Sequence, residues 1–284
     1  MKAYTLIGCP LGHSMSPWIH ERLFAMAGRE ADYTLTEIHP EDLADAVKST
    51  LSGMTGYNIT IPHKVGIIPF IDKLDETAER YQSVNCVANR GGQAVGYNTD
   101  CVGFCRSVGE IVPGSKVLLI GCGGVGRMMA TEAYLCGVEL TIVERDLSLA
   151  EALASELRGA YPDAGSTVQV CSSAPEDVHF DLLMNACPVG MYPKSDRCPV
   201  SDAVVEHANR VFDVIYNPTQ TLLMQKARAL GKSAVGGSAM LVWQAVRAHE
   251  IWDGDSYETT AVEQLIADME AEVDRLFPAK EEAV

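Results

Sequence analysis

The chain has 284 residues, 47% hydrophobic and 21% charged, with a formal net charge of −16. That length suits one large domain or two ordinary ones, and the acidity argues against nucleic acid or an anionic membrane as partner. Nine cysteines, an odd number without a Cys-x-x-Cys pair, fit a reducing cytoplasm better than a disulfide scaffold.

Other features narrow the class. Cys101 and Cys105 are at helical spacing but no histidine cluster accompanies them, so no metal is expected. The opening MKAYTLIGCPLG reads as a strand and turn rather than a signal peptide. No apolar run approaches a membrane-spanning length.

In chain order, AYTLIG (3–8) reads as a strand. SPWIHERLFAMAG (16–28) reads as a helix capped by Ser16, with Pro17 in its first turn. A strand follows at 32–38, a helix at 40–51 and a strand at 56–61. Residues 75–82 read as a helix, and 84–90 with 94–98 as a hairpin turning on glycine. A second series opens with SKVLLIG (115–121) and continues with apolar strands at 139–143, 166–170, 181–186, 210–216 and 232–236. Such runs, with helical stretches between most of them, predict a parallel sheet covered on both faces. Two helices, 238–252 and 260–277, close the chain. The fold class is therefore α/β in two domains. The boundaries are 1–105, 106–236 and a tail, 237–284.

GYNITIPHK (56–64) raises a question of chemistry. Pro62 ends the strand and Lys64 follows. Lys64 is either a solvated surface charge or a lysine aimed into a cleft beside Asn58 and Thr60. The glycines of GCGGVG, at 121, 123 and 126, fit G-x-G-x-x-G between an apolar strand and an apolar helix. That context is what a dinucleotide pyrophosphate needs: a tight turn, close backbone approach and helix N-terminal amides. Glu144 ends the next strand, about 20 residues on, where a carboxylate meets the adenosine ribose.

The N-terminal half carries more specific patterns. GCPLGHSMSPWIH (8–20), GYNITIPHK (56–64), SVNCV (83–87) and GYNTDCVGF (96–104) occur in this order. With GCGGVG, MNACPVGMYP (184–193), FDVIYNPTQTLLMQKARALG (212–231) and GGSAMLVWQA (236–245), they resemble the shikimate dehydrogenase family over nearly the whole chain. The resemblance implies an N-terminal substrate domain, a Rossmann domain for a nicotinamide cofactor, and C-terminal helices, 237–284, that return to the first domain. It implies interconversion of shikimate and 3-dehydroshikimate, with quinate and aminoshikimate left open as substrates.

The resemblance also assigns residues. It makes Lys64 and Asp100 the catalytic pair. Ser14 and Ser16 match residues binding the substrate carboxylate. Thr60, Asn85, Asp100 and Gln244 match residues reading the ring hydroxyls, and Tyr216 matches a tyrosine near the carboxylate. His13 is read as structural. Cofactor contacts are expected at Gly121, Gly123, Gly124, Val125, Gly126, Glu144, Arg145, Asp146, Ala186, Cys187, Pro188 and Gly237. Three departures stand out: Cys86 and Cys187 replace threonines, and VERD (143–146) replaces the NRT-like run of NADP-using members. Two carboxylates there favour NAD, with NADP as the alternative and Arg145 as the counter-argument. A monomer or homodimer is expected. A weakly active dinucleotide-binding regulator and another Rossmann enzyme, such as a methyltransferase, are the competing readings.

Overall fold

The structure is a computed structural model that describes residues 2–12 and 14–278. It divides into two compact units. The first comprises Met1–Gly103 and Leu241–Leu265, the second Phe104–Met240 and the chain from Ile266 onward.

The first unit is built on a mixed sheet. Its strands are β1 (Lys2–Gly8), β2 (Ala31–Glu37), β3 (Gly56–Ile59), β4 (Lys73–Leu74), β5 (Cys86–Arg90) and β6 (Gln93–Tyr97). They lie in the order β2-β1-β3-β5-β6-β4. β1 runs parallel to both its neighbours, and the β5–β6 hairpin pairs antiparallel to β3. Both faces of the sheet are buried. Ile7, Tyr57, Ile59 and Val87 pack in one cluster, and Tyr4, Leu6, Phe24, Tyr33 and Trp252 in another. Each such side chain stabilises the fold by roughly 1.5–3 kcal/mol relative to exposure. The Trp252 indole N–H donates to the Val87 carbonyl at 2.9 Å, which satisfies its one buried polar atom.

The second unit is a six-stranded parallel sheet: β7 (Lys116–Ile120), β8 (Glu139–Val143), β9 (Thr167–Cys171), β10 (Phe180–Asn185), β11 (Ala208–Asp213) and β12 (Ser233–Val235). The order β12-β11-β10-β7-β8-β9 is that of a doubly wound dinucleotide-binding sheet. The chain leaves β7 in one direction and β10 in the other. A crevice therefore opens beyond the carboxyl ends of those two strands, the position where such folds bind ligands.

The second sheet meets its expected strands closely, and β8 matches over its full length. Elsewhere the structure differs. Ser16 is the first residue of the helix Ser16–Met26 and does not cap it. Its amide instead donates to the Ser14 hydroxyl at 3.2 Å. The 40–51 helix breaks into a short turn, Pro40–Asp42, and a helix, Leu43–Ser49. Lys64 lies not at a strand end but in a one-turn helix, His63–Gly66. Asp100 opens a helix, Asp100–Val108, across the stretch read as an interdomain junction. The tail also divides: 241–265 joins the first unit, whereas 237–240 and the chain from 266 belong to the second. There the Thr219 hydroxyl donates to Asp274 at 2.7 Å. An amphipathic period shows that a helix has a buried face, but not which neighbour covers it.

Candidate active site

In the first unit, Lys64 Nζ donates to Asp100 Oδ2 at 2.7 Å, and their side chains keep 26% and 19% exposure. The pair is thus partly shielded yet open to a ligand. Asp100 Oδ1 accepts from Asn85 Nδ2 at 2.8 Å. Asn85 Nδ2 also reaches the Thr99 hydroxyl at 3.0 Å, and Asn85 Oδ1 accepts the Thr99 amide at 2.6 Å. The Thr99 hydroxyl donates to Gln244 Oε1 at 3.3 Å. Lys64, Asp100, Asn85, Thr99 and Gln244 therefore form one connected polar network.

Local structure explains the precision of this network. The His63 ring bonds the Ile38 carbonyl at 2.6 Å, and the Lys64 carbonyl accepts the Val84 amide at 2.8 Å. Those bonds fix the one-turn helix against β2 and against the approach to β5. Asn98 Oδ1 accepts the Asp100 amide at 3.1 Å, which sets the start of the next helix. A network with its members paired is rigid, because each side chain's rotamer is held by its neighbours.

Four of the expected residues, Lys64, Asp100, Asn85 and Gln244, meet in this network. Thr60 precedes the one-turn helix, and its carbonyl accepts the His63 amide at 3.0 Å. Ser14 and Ser16 are joined to each other as described above. Tyr216 belongs to the second unit, in the loop after β11, where burial pushes its hydroxyl pKa up. His13 lies outside the described residues. Asn58, expected to line the cleft, is 4% exposed: it accepts from the Tyr33 hydroxyl at 2.8 Å and donates to the Asn85 carbonyl at 3.3 Å. It supports Asn85 from beneath. Cys86, one of the departures from the family pattern, is fully buried in the Tyr4–Trp252 cluster. Thr99 was not singled out from sequence, although its place between Asn98 and Asp100 was the available signal.

In the second unit the glycines separate into two kinds. Gly121 has φ +87°, so a side chain there would be strained. A Cβ on Gly126 would fall on the Gly121 carbonyl, so the helix Gly124–Leu135 can approach β7 only without one. Gly237 is likewise held against the Val214 carbonyl. At Gly123 and Gly124, by contrast, a Cβ would meet nothing within 4 Å, and neither has a positive φ. No protein neighbour requires glycine at those two positions. Bare backbone at a helix N-terminus is what an approaching phosphate requires. Val125 follows in the first turn of that helix.

Beside this turn is a cavity of about 850 Å³. Its lining includes Gly121, Gly123, Glu144, Arg145, Ala186, Cys187 and Pro188, at the ends of β7, β8 and β10. The size and position fit a dinucleotide. Arg145, Lys194 and Arg197 outnumber Glu144 and Glu176 in the lining. The cavity is therefore locally cationic in a chain of net charge −16.

The Glu144 carboxylate accepts the Cys122 amide at 3.1 Å and the Arg145 amide at 2.8 Å. Burial works to raise its pKa, but the amides of Cys122, Arg145 and Asp146 prevail and hold it below the ordinary value. Asp146 caps the helix Leu147–Ala160, accepting the Ser148 amide at 3.0 Å. The Ser148 hydroxyl and amide hold its carboxyl below the usual range.

Beneath the Ala186–Pro188 turn lies a strut that sequence reasoning missed. Asn185 Nδ2 donates to Asp213 Oδ1 at 2.9 Å, and Asn185 Oδ1 accepts the Cys187 amide at 3.1 Å. Asp213, fully buried, also accepts from the Thr221 hydroxyl at 2.7 Å and the Ile215 amide at 3.1 Å. It joins the turn after β10 to the turn after β11. Burial raises its carboxyl pKa despite these bonds.

Comparison with known proteins places these features. Residues 6–87 match the model of the shikimate dehydrogenase substrate binding domain. The chain is 37% identical to a shikimate dehydrogenase (NADP(+)) of Caldanaerobacter subterraneus, over 93% of this chain and 96% of that protein. The structure of 5-ketofructose reductase of Gluconobacter sp. strain CHM43 matches with TM-score 0.82 at 33% identity, covering 94% of this chain and 98% of that one. The shikimate 5-dehydrogenase of Listeria monocytogenes, solved with shikimate and NAD, matches with TM-score 0.80 at 26% identity, over 94% and 96% of the two chains. This chain belongs to the shikimate dehydrogenase family.

Proposed function

We propose that the chain is a nicotinamide-dependent oxidoreductase that interconverts shikimate and 3-dehydroshikimate, its first unit holding the substrate and its second the cofactor. The observation that carries this reading is the Lys64–Asp100 pair, set 2.7 Å apart within a network of hydroxyl-reading side chains. A bound nicotinamide supplies the hydride chemistry. Lys64 Nζ hydrogen-bonds the reacting oxygen and exchanges its proton. Asp100 holds that ammonium in place and accepts from a neighbouring ring hydroxyl. Asn85 and Gln244 present donors and acceptors to the ring, with Thr60 beside them. Ser14 and Ser16 donate to the carboxylate. The Gly121–Gly126 turn, Ala186–Pro188 and Gly237 hold the cofactor, with Glu144 and Asp146 at the adenosine ribose. Initial rates of shikimate-dependent cofactor reduction test the reading. Saturable turnover is expected, and binding of cofactor without turnover would mark a regulator instead.

NAD is the favoured cofactor. Glu144 can accept from both ribose hydroxyls, whereas a 2′-phosphate would face two carboxylates. Arg145 opposes this, and the expected discrimination is roughly 1–3 kcal/mol. A higher kcat/KM with NADP overturns the preference. A preference for NAD that Glu144→Ala leaves unchanged overturns the reason given for it.

The likeness to a 5-ketofructose reductase favours one second reading, reduction of a neutral keto-sugar. Ser14 separates the two. If shikimate is the substrate, Ser14→Ala raises its KM by the ~1.5–3 kcal/mol of a hydrogen bond to a charged group. Faster turnover of 5-ketofructose than of 3-dehydroshikimate, indifferent to Ser14→Ala, establishes the alternative.

A further inference from the structure

One cluster of ligating side chains in the first unit has no part in the reaction described above. Cys9 follows β1 directly, Glu37 ends β2, and His39 lies two residues further on. β1 and β2 are parallel with Gly8 opposite Glu37, so the chain leaves both strands side by side. Cys9 Sγ is 3.4 Å from His39 Nδ1 and 3.7 Å from Glu37 Oε1, and all three ligating atoms lie within 4.8 Å of one another.

We propose that Cys9, Glu37 and His39 form a binding site for a zinc-class divalent ion, with its fourth position open to water.

The distances carry this. Tetrahedral zinc with a sulfur at ~2.3 Å and nitrogen or oxygen at ~2.0–2.1 Å places those ligand atoms about 3.5 Å apart. The two separations from Cys9 Sγ fall on either side of that value, and the Glu37–His39 separation, within 4.8 Å, can close by turning two exposed side chains. The donor set is also selective. A thiolate with an imidazole and one carboxylate suits zinc, whereas calcium and magnesium take oxygen shells.

The backbone is prepared as well. The Cys9 amide donates to the Ile61 carbonyl at 3.1 Å, and the Ile38 amide to the Gly8 carbonyl at 3.1 Å. The Leu11 amide reaches the other Glu37 oxygen at 3.4 Å, an outer contact that orients the carboxylate. Glu37 and His39 are exposed and Cys9 is half-buried, so an ion has access from solvent. Binding displaces the thiol proton to solvent and forms the sulfur–metal bond as the ion sheds water, with no change of oxidation state. Zinc with one thiolate and one carboxylate leaves the site neutral. The ion would tie the stretch leading to Ser14 onto the end of β2.

The test uses tag-free full-length protein stripped with a chelator, titrated with zinc by calorimetry and with cobalt(II) by absorption. One ion per chain is expected, with the intense visible bands of four-coordinate cobalt and a thiolate-to-cobalt charge-transfer band. Cys9→Ser removes the charge-transfer band. His39→Ala and Glu37→Gln each weaken zinc binding by at least ~10-fold, the lower range for disturbing a metal's ligand environment. Cys198→Ser, in the second unit, leaves binding unchanged. His39→Ala and Glu37→Gln carry the test alone should Cys9→Ser not fold. Absence of one-to-one binding, a charge-transfer band that survives Cys9→Ser, or unchanged affinity in His39→Ala would each overturn the proposal.

Discussion

In the first unit, Lys64, Asp100, Asn85, Thr99 and Gln244 form a site by holding one another at 2.6–3.3 Å. In the second, the cavity beside Gly121–Gly126 is formed largely by side chains that are missing. The difference teaches where each site is vulnerable. The first is damaged by deleting a functional group, with the fold around it intact. The second is damaged by adding a methyl, and whether the fold also suffers depends on what that methyl meets.

Asp100→Asn tests the first half of the comparison and has the largest expected effect. Asp100 accepts at both oxygens, from Lys64 and from Asn85. The substituted amide can accept at only one and must point a donor at another donor. A fall in kcat of at least ~100-fold is expected, the lower range for acid–base catalysis, with an unchanged melting temperature. A large loss of stability together with activity would show that the network is structural.

Gly121→Ala and Gly123→Ala test the second half as a pair. The first forces a side chain onto a residue at φ +87°, against Cys187, and should destabilise by ~1–3 kcal/mol. The second adds a methyl into open space and should change stability by no more than ~0.5 kcal/mol. Both should weaken cofactor binding in a fluorescence titration. Unchanged binding in Gly123→Ala would remove the argument that its bare backbone faces a ligand.

Acid should separate the units by a smaller amount. His20 and His249 are buried in the first unit, their ring nitrogens 3.0 Å apart. Burial pushes His249 down to about 4, against the opposing pull of Asp255 and Asp253, and holds His20 well below the ordinary histidine value, with His249 as its neighbour adding to the effect. A buried neutral histidine takes up its proton in the unfolded chain first. Each therefore removes about 1.4 kcal/mol of stability per pH unit below ~6.5, until its own folded value is reached. Asp213 in the second unit has the opposite sign. Its raised folded pKa makes that unit relatively more stable as pH falls toward and through the ordinary carboxylate range. All three tryptophans, Trp18, Trp243 and Trp252, lie in the first unit. Tryptophan fluorescence should thus report unfolding at a higher pH than circular dichroism, which sees both units. Coincident transitions would contradict this.

The sequence was most legible where local pattern and tertiary role coincide. The parallel strands are continuous apolar runs because both faces are covered, so β8 could be bounded to the residue. The glycine turn was visible for the same reason: its chemistry is backbone chemistry. The first-unit site was legible through motifs, but its wiring was not. Thr99 joins Asn85 to Gln244, a residue 145 positions away in sequence. Asn185 and Asp213 meet only because β10 and β11 are neighbours. The helix Asp100–Val108 went unread although its apolar residues keep a helical period, because it spans the stretch taken as the junction between the two domains. Cys9, Glu37 and His39 escaped a search for cysteine pairs because parallel pairing of β1 and β2, not sequence spacing, brings them together.

The central claim is that proton handling belongs to Lys64 and cofactor binding to a separate construction. Lys64→Ala, assayed for kcat with shikimate and for cofactor affinity by fluorescence titration, tests it most directly. The account predicts that kcat falls at least ~100-fold while the cofactor dissociation constant stays at the wild-type value. A kcat near wild type, or a loss of cofactor affinity that accounts for the lost rate, would contradict it.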